Sequence, residues 1–205
     1  MVLGAAGVGK TSVVKALLGP PHSFPKKYAM TTGVDIFAKQ IRTNSSSIIL
    51  SSISNNNSSN SDLNNHHSQL QDNNQHYVEL FVYDFSGKQV YRELVRKLWA
   101  QNVSLIVGVF DVNNEDSFVE LQSQLTELLK QLKSPEETAG ILLGNKTDLT
   151  DVNGRRVVSS DEAHQLAKRY KMRFFDVSAR DGRSDIEEAF THLATSWYEA
   201  RLTKE

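Results

Sequence analysis

The fold is decided by the stretch Gly4-Ala5-Ala6-Gly7-Val8-Gly9-Lys10-Thr11, near the start of the chain. It matches the pattern G-x-x-x-x-G-K-[ST] at every fixed position, with an apolar pair before it and regularly spaced apolar residues after it. This order predicts the end of a strand, a phosphate-binding loop and the start of a helix. A glycine-rich turn that only caps a helix is the alternative, and the other motifs of the chain have to decide between the two.

The residue types of this loop suit a nucleoside triphosphate with Mg²⁺. Its glycines allow the backbone to curl, so that N–H groups and the helix N-terminus can surround the β-phosphate. Lys10 would place a positive charge against the β and γ oxygens, and Thr11 would place its hydroxyl on the metal ion. The loop residues expected to bind the nucleotide are Gly4, Ala5, Ala6, Gly7, Val8, Gly9, Lys10, Thr11 and Ser12.

Composition excludes several other classes of protein. A chain of 205 residues suits one domain, residues 1–205, with a sizeable core. The formal net charge of -1 and the lack of a basic run argue against nucleic acid or an anionic membrane as the main partner. No apolar stretch approaches the roughly 18 residues of a membrane span. Because the sequence has no cysteine, we expect no disulfide, no thiolate metal site and no lipid anchor on cysteine.

Strands and helices alternate along the chain, which predicts an α/β fold with a mostly parallel central sheet and helices on both faces. Strands are expected at residues 34–43, 77–83, 105–110, 141–144 and 174–177, and apolar helical stripes at 91–99, 118–132, 159–170 and 186–197. Ser159 and Glu162 have the spacing of a capping box. The first strand, Met1 to Leu3, is shorter than the usual 5–6 residues or so, and we expect that the native chain starts further upstream.

Residues 44–76 interrupt this alternation with a low-complexity run rich in Asn, Ser, Gln and His. Such a segment cannot bury enough apolar surface to offset its ordering entropy. His66, His67 and His76 could hold a metal, but in so unpatterned a polar run we expect solvated histidines. The run is therefore predicted to be a disordered insertion at the tip of a hairpin between two strands.

Further polar motifs follow the predicted strands and suit a guanine nucleotide. Asp84-x-x-Gly87 could hold a magnesium-bound water through its carboxylate and reach the γ-phosphate through its glycine amide. In Asn145-Lys146-Thr147-Asp148, the last carboxylate could accept from both N1–H and the exocyclic amine of guanine, a donor pair that adenine lacks. Asn145 would support the loop and the base edge, and the Lys146 stem would lie along the ring. Ser178-Ala179 could offer a backbone N–H to the guanine oxygen.

Together these motifs resemble a small GTPase of the Ras superfamily, nearest the Rab type. The resemblance implies a P-loop small-GTPase fold that binds GTP or GDP with Mg²⁺. It places Thr31, within Tyr28 to Asp35, as a magnesium ligand that senses the γ-phosphate, and Phe24 against the guanine. The implied metal ligands are Thr11, Thr31 and Asp84, the implied catalytic residues are Lys10, Thr31, Gly87 and the residue at position 88, and Arg180 completes the base-binding motif with Ser178 and Ala179.

Softer strings, such as Val78-Glu79-Leu80-Phe81 and Lys97-Leu98-Trp99, resemble the Rab-like GTPases of the intraflagellar transport B complex. That resemblance implies a heterodimer with a small β-sandwich protein, intraflagellar transport protein 25, and contacts with coiled-coil subunits of the complex. It also implies a location in the cytoplasm and the cilium or flagellum, with no nucleic acid and no membrane insertion. In the last helix, Tyr198 and Leu202 are the expected partner contacts, whereas Trp197 continues the core face.

Two positions depart from the family pattern: Ala6 adds a methyl near the γ-phosphate, which many members tolerate, and position 88 differs in the residue type itself. Active members carry glutamine after Asp-x-x-Gly to orient the attacking water, as the general scheme for this superfamily describes, and here the residue is Lys88. An ammonium group has no acceptor for the water's proton, so we expect slow GTP hydrolysis. Lys88 could equally be a solvated residue without nucleotide contact. A GTP/GDP switch, a structural adaptor that is indifferent to nucleotide state, and a conventional vesicle-trafficking Rab all stay open.

Overall fold

The computed structural model describes residues 1–19, 30–43, 76–91, 93, 96, 103–132, 134, 138–153 and 156–203. The strands are β1 (Val2–Leu3), β2 (Val34–Arg42), β3 (Tyr77–Phe85), β4 (Leu105–Asp111), β5 (Ala139–Asn145) and β6 (Arg173–Asp176). The helices are α1 (Lys10–Leu18), α2 (Glu115–Gln131), α3 (Asp148–Asn153), α4 (Ser160–Arg169) and α5 (Arg183–Leu202), with a 3₁₀ turn at Gln89–Tyr91. Within these ranges, no helix has both the length and the apolar character that a membrane crossing needs.

The strands form one six-stranded sheet in the order β2-β3-β1-β4-β5-β6. Among the described strands, β2 and β3 pair in antiparallel orientation, and the other neighbouring pairs are parallel. β1 has two residues, both buried, and lies between β3 and β4. The predicted α/β class with a mostly parallel sheet is therefore confirmed.

The sheet separates two apolar layers, and β4 shows the division residue by residue. Val107 and Val109 face one layer, whereas Ile106 and Phe110 face the other, as the two-residue repeat of a strand requires. The first layer includes Val13, Val14 and Leu17 of α1 with Ile186, Phe190 and Leu193 of α5. The second includes Leu121, Leu125 and Leu128 of α2 with Ala163 and Leu166 of α4. Helices thus cover both faces, as the apolar stripes predicted.

Two helices begin at side-chain caps. Asn114 accepts a hydrogen bond from the Ser117 N–H at the start of α2. Ser159 and Glu162 form the predicted capping box at the start of α4. Each cap satisfies an N–H group that has no partner inside the helix and is typically worth about 1 kcal/mol.

The hairpin of β2 and β3 pairs without interruption from Val34 opposite Phe85 to Arg42 opposite Tyr77. The Thr43 N–H then donates to the carbonyl of His76, which closes the ladder where the insertion begins. Residues 44–75 of the predicted insertion 44–76, including His66 and His67, lie outside the described residues, so their predicted disorder stays a prediction. Phe24 and most of the helix expected at 91–99 also lie outside them. For His76 the prediction of a solvated histidine is wrong, because its backbone continues the ladder and its half-buried ring packs near Tyr198.

Candidate nucleotide-binding site

A cavity of about 450 Å³ opens at the carboxyl edge of the sheet. It brings together parts of the chain that are far apart in sequence: the phosphate loop, Thr31, and the segments that follow β3, β5 and β6. Its walls include the expected site residues Ala6, Gly7, Gly9, Lys10, Thr11, Ser12, Thr31, Gly87, Lys88, Asn145, Lys146, Asp148, Ala179 and Arg180. Lys15, Met30 and Leu149 also line it, although the sequence motifs did not point to them.

The phosphate loop owes its shape to close backbone packing. Gly9 has a φ of 97°, and a Cβ there would lie 2.3 Å from Nδ2 of Asn145. That amide nitrogen donates to the carbonyl of Val8 at 2.8 Å. A side chain at position 9 would therefore push away the residue that ties the loop to the end of β5.

Gly4 does not play the role expected from the sequence. Its N–H donates to Oε1 of Gln124 on α2 at 3.0 Å, so it points away from the cavity. Gly4, Ala5, Val8 and Ser178 are buried and do not line the cavity wall. The first residues of the loop are therefore buried against α2. The later glycines, Gly7 and Gly9, line the cavity.

Lys10 is buried against the loop that precedes it. Its Nζ donates to the carbonyls of Gly4 at 2.9 Å and Ala5 at 2.8 Å. Burial lowers the Lys10 pKa to about 8, although the charges of Asp84 and Glu120 act in the opposite direction. The ammonium group is held in place before any phosphate arrives.

Two hydroxyls and a carboxylate meet at the end of β3. The Thr11 hydroxyl donates to Oδ2 of Asp84 at 2.5 Å and lies 2.8 Å from the Thr31 hydroxyl oxygen. Asp84 is fully buried, and its Oδ1 has no hydrogen-bond partner. Burial raises the Asp84 pKa, while the Thr11 hydrogen bond and the Lys10 charge lower it. A buried carboxylate oxygen without a donor costs free energy, and a bound cation would offset that cost.

Asp148 lines another part of the cavity with a carboxylate whose orientation is fixed by a hydrogen bond. Oδ1 of Asp148 accepts from the Ser178 hydroxyl at 2.8 Å, and the side chain is only 14% exposed. The Arg180 guanidinium approaches the other oxygen at 4.0 Å. Asn145 accepts from the Ala179 N–H at 3.0 Å, so the segments after β5 and β6 are tied to each other.

Two residues that hold Lys146 at the cavity wall were not identified from the sequence. Asp111, the last residue of β4, pairs with the Lys146 ammonium at 2.7 Å. Asn113 donates to the Lys146 carbonyl at 3.1 Å, which helps to hold Lys146 at a φ of 68°. The sequence did contain an indication, because Asp111 and Asn113 come directly after the apolar run 105–110, whose strand ends at the same edge of the sheet.

A family model described as the Ras family matches residues 46–199, which is well over half of the chain. The chain belongs to the Ras family. The phosphate loop precedes the matched range, so the loop geometry and the family match are separate observations. Ras-family proteins bind guanine nucleotides, generally with Mg²⁺.

Curated relatives cover almost the whole length of this Ras-family chain. It is 30% identical over 199 residues to the intraflagellar transport protein 27 homolog of Mus musculus, a match covering 97% of the chain and 89% of the relative. It is 29% identical to intraflagellar transport protein 27 of Chlamydomonas reinhardtii, covering 96% of the chain and 82% of the relative. The Ras-related protein Rab-7a of Paramecium octaurelia is 27% identical, over 95% of the chain and 78% of the relative.

The residues at the end of β3 fit the Mg²⁺ that generally accompanies nucleotides in the Ras family. Magnesium prefers oxygen ligands and usually takes one or two carboxylates together with phosphates and water. Asp84, Thr11 and Thr31 would hold the ion, which would give the Oδ1 atom of Asp84 the direct partner that it lacks. When bound, the ion would neutralise charge between the β and γ phosphates.

Because the Lys10 pKa is about 8, we expect the nucleotide affinity of this Ras-family chain to depend on pH. The phosphates of a nucleotide favour the ammonium form, so binding should raise the Lys10 pKa from its value of about 8 in the free protein. We therefore expect proton uptake on GDP binding at about pH 8.5, and a fall in affinity as the pH rises further. Calorimetry in buffers of different ionisation enthalpy measures this uptake.

The matched control for Lys10 is the same titration at about pH 6.5, where the ammonium is already protonated and its contribution should vanish. Binding heats that do not depend on the buffer at the higher pH would contradict the prediction.

Proposed function

We propose that the chain binds GTP and GDP with Mg²⁺ and serves as a Rab-like subunit of the intraflagellar transport B complex, in the cytoplasm and the cilium or flagellum. The nucleotide part of this proposal rests on one observation, the held carboxylate of Asp148 at the base end of the cavity. The transport part is supported by relatives in mouse and Chlamydomonas whose names are intraflagellar transport protein 27.

The Asp148 carboxylate suits guanine because it presents acceptor oxygens to a base edge that carries two donors. Ser178 occupies one side of the carboxylate, which fixes its plane and leaves the rest for a ligand. Adenine offers no such donor pair, so its binding would leave the side of the carboxylate that faces the base without a donor. The site is therefore expected to take GTP and GDP and to exclude ATP.

Hydrolysis is proposed to be slow because Lys88 stands where the family has a water-orienting glutamine. The protein contributes mainly positioning and charge stabilisation to this reaction, so a misplaced water removes much of its effect. We expect Lys88→Gln to raise the single-turnover rate of GTP hydrolysis about tenfold or more. Quench-flow or phosphate-release measurements on preloaded protein would show the change.

An unchanged or lower hydrolysis rate in Lys88→Gln would mean that Lys88 is not the cause of slow hydrolysis. Lys168→Gln is the matched control, because Lys168 is exposed near the end of α4 and does not line the cavity. It should leave the rate unchanged.

The partner surface is proposed to lie on the end of α5. Leu202 is 44% exposed there and offers an apolar side chain to a partner. Tyr198 packs partly against the core, with its ring 5.2 Å from that of His76. Trp197 packs against the core as expected, and the Arg201 guanidinium lies 3.9 Å from its ring centroid. Leu202 is therefore the stronger candidate contact, with Tyr198 at its edge.

Co-expression with intraflagellar transport protein 25 tests the subunit function. A stable pair buries roughly 800 Å² on each partner around a few anchors. We therefore expect capture of the wild-type chain and a loss of about tenfold or more in the Tyr198→Ala/Leu202→Ala variant. Capture should be similar with GDP and with a GTP analogue, because this end of α5 is not part of the nucleotide cavity.

Leu202→Ala alone keeps the capture test independent of the contacts that Tyr198 makes within the domain. Val157→Ala, at another exposed apolar side chain, is the control and should leave capture unchanged. Undiminished capture of both α5 variants would refute the proposed surface, and failure to capture the wild type would refute the proposed pair. A strong preference for GTP would refute independence from the nucleotide.

A further inference from the structure

Lys88 lies at the point where the segment after β3 is pressed against the phosphate loop. A Cβ at Gly87 would lie 2.5 Å from the nitrogen of Ala6 and 2.7 Å from the carbonyl carbon of Ala5. The two backbones therefore touch, and a side chain at position 87 would separate them. Lys88 comes next in the chain and lines the cavity together with Ala6, Gly87 and Thr31.

The other basic groups of the cavity wall mostly have partners. Lys10 is bonded to backbone carbonyls, Lys146 pairs with Asp111, and Arg180 lies near Asp148. Lys15 is on α1, one helical turn beyond Thr11. Within the described part of the chain, the exposed Lys88 side chain forms no ion pair, so its charge is available to a ligand in the cavity.

Two acidic groups that share a cavity with Lys88 already have partners. Lys88 also lines a small neighbouring cavity that contains Glu120 and Glu127 of α2. Glu127 is paired with Arg96 at 2.7 Å, and Glu120 accepts from the Gln124 amide at 3.0 Å. These carboxylates therefore compete weakly for the ammonium group, and an anion on the other side of Lys88 would meet little competition.

We propose that Lys88 binds the γ-phosphate and makes this site prefer GTP to GDP. The γ-phosphate belongs at the end of the cavity formed by Ala6, Gly87 and Thr31, because there the loop and the magnesium ligands meet. A lysine is a compact positive charge that binds phosphate strongly without bidentate geometry. GDP lacks the phosphoryl group at that place and gains little from Lys88.

This inference rests on the proposed nucleotide function and adds a consequence for the lifetime of the GTP state. If Lys88 binds the γ-phosphate equally well before and during hydrolysis, it stabilises bound GTP but does not lower the activation free energy measured from that bound state. Lys88 would therefore stabilise the complex with GTP. Because it replaces the glutamine, no side chain at position 88 orients the attacking water. The chain becomes a GTPase that holds GTP tightly and turns it over slowly.

The test is a competition measurement of the affinities for GDP and for GTPγS with Mg²⁺, using a fluorescent guanine nucleotide as the probe. We expect Lys88→Met to weaken GTPγS about tenfold or more and to leave GDP within about twofold. Lys88→Arg keeps the charge and should retain most of the preference for GTPγS. Lys168→Met removes the same charge from an exposed site on α4 and should change neither affinity.

The affinities for GDP and GTPγS distinguish a wrong role for Lys88 from a wrong nucleotide function. An equal effect of Lys88→Met on both nucleotides, or no effect on either, overturns the role of Lys88 while guanine-nucleotide binding stands. Failure of the wild type to bind either nucleotide overturns both. A circular dichroism spectrum and a melting temperature for each variant check that the changes do not come from unfolding.

Discussion

Replacing Asp148 with asparagine is expected to weaken GTP binding by roughly a hundredfold or more and to make xanthosine triphosphate the better ligand. The Ser178 hydroxyl donates to Oδ1 of Asp148 at 2.8 Å, so it should hold the oxygen of the new amide on its own side. The amide nitrogen would then face the base. It would oppose the exocyclic amine of guanine but meet the carbonyl oxygen that xanthine carries at the same place.

Calorimetry with GTP, xanthosine triphosphate and ATP on the wild type and Asp148→Asn measures this exchange. Asp161→Asn removes an exposed carboxylate from the first turn of α4 and is the matched control. If Asp148→Asn keeps the wild-type affinity for GTP, or if ATP binds the wild type as well as GTP does, the base end of the cavity is assigned wrongly.

Replacing Asp84 with asparagine is expected to remove the dependence of nucleotide affinity on Mg²⁺. In the wild type, chelating the metal should lower GDP affinity by about a hundredfold, because Asp84, Thr11 and Thr31 would hold an ion that neutralises phosphate charge. The variant should bind GDP with nearly the same weakened affinity in Mg²⁺ and in EDTA. Nucleotide dissociation rates measured in both solutions give the comparison.

The same substitution should not destabilise the protein when no nucleotide is bound. Burial raises the Asp84 pKa, so the charged carboxylate is disfavoured in the folded state, and a neutral side chain of the same shape relieves that cost. We expect an equal or higher melting temperature for nucleotide-free Asp84→Asn. Asp161→Asn is the control, because Asp161 is an exposed carboxylate on α4 that does not line the cavity. A variant that keeps the full Mg²⁺ dependence would refute the assignment of Asp84.

The ends of the predicted strands show where reasoning from local pattern stops. The apolar run 141–144 predicted β5, and the observed strand runs from Ala139 to Asn145. The two extra residues at its start and the one at its end belong to the strand because β5 pairs with β4 from Leu105 to Asp111. Backbone pairing does not depend on side-chain polarity, so a hydrophobic pattern ends before the ladder does.

The hydrogen bonds that hold the phosphate loop in place also could not be predicted from local pattern. Asn145 bridges Val8 and Ala179, and Gln124 takes the N–H of Gly4, although these partners lie far apart in the chain. Periodicity and motif spacing describe neighbours along a helix or strand, so they cannot identify such pairs. The motif predicted that Gly4 faces the phosphates. Its neighbours in the sequence gave no sign that Gln124 of α2 accepts its N–H.

The sequence by itself determined the order of strands and helices, the phosphate loop, the two-residue repeat that divides the core and the capping box of α4. Each depends on residues within a few positions of one another, whose backbone and side-chain preferences act locally. Only the tertiary structure decided that Asp84 lies buried beside Thr11 and Thr31 with an oxygen unpartnered, and that Asp111 holds Lys146. Those contacts exist because the parallel sheet brings the carboxyl ends of distant strands to one edge, where packing fixes the position of each polar group.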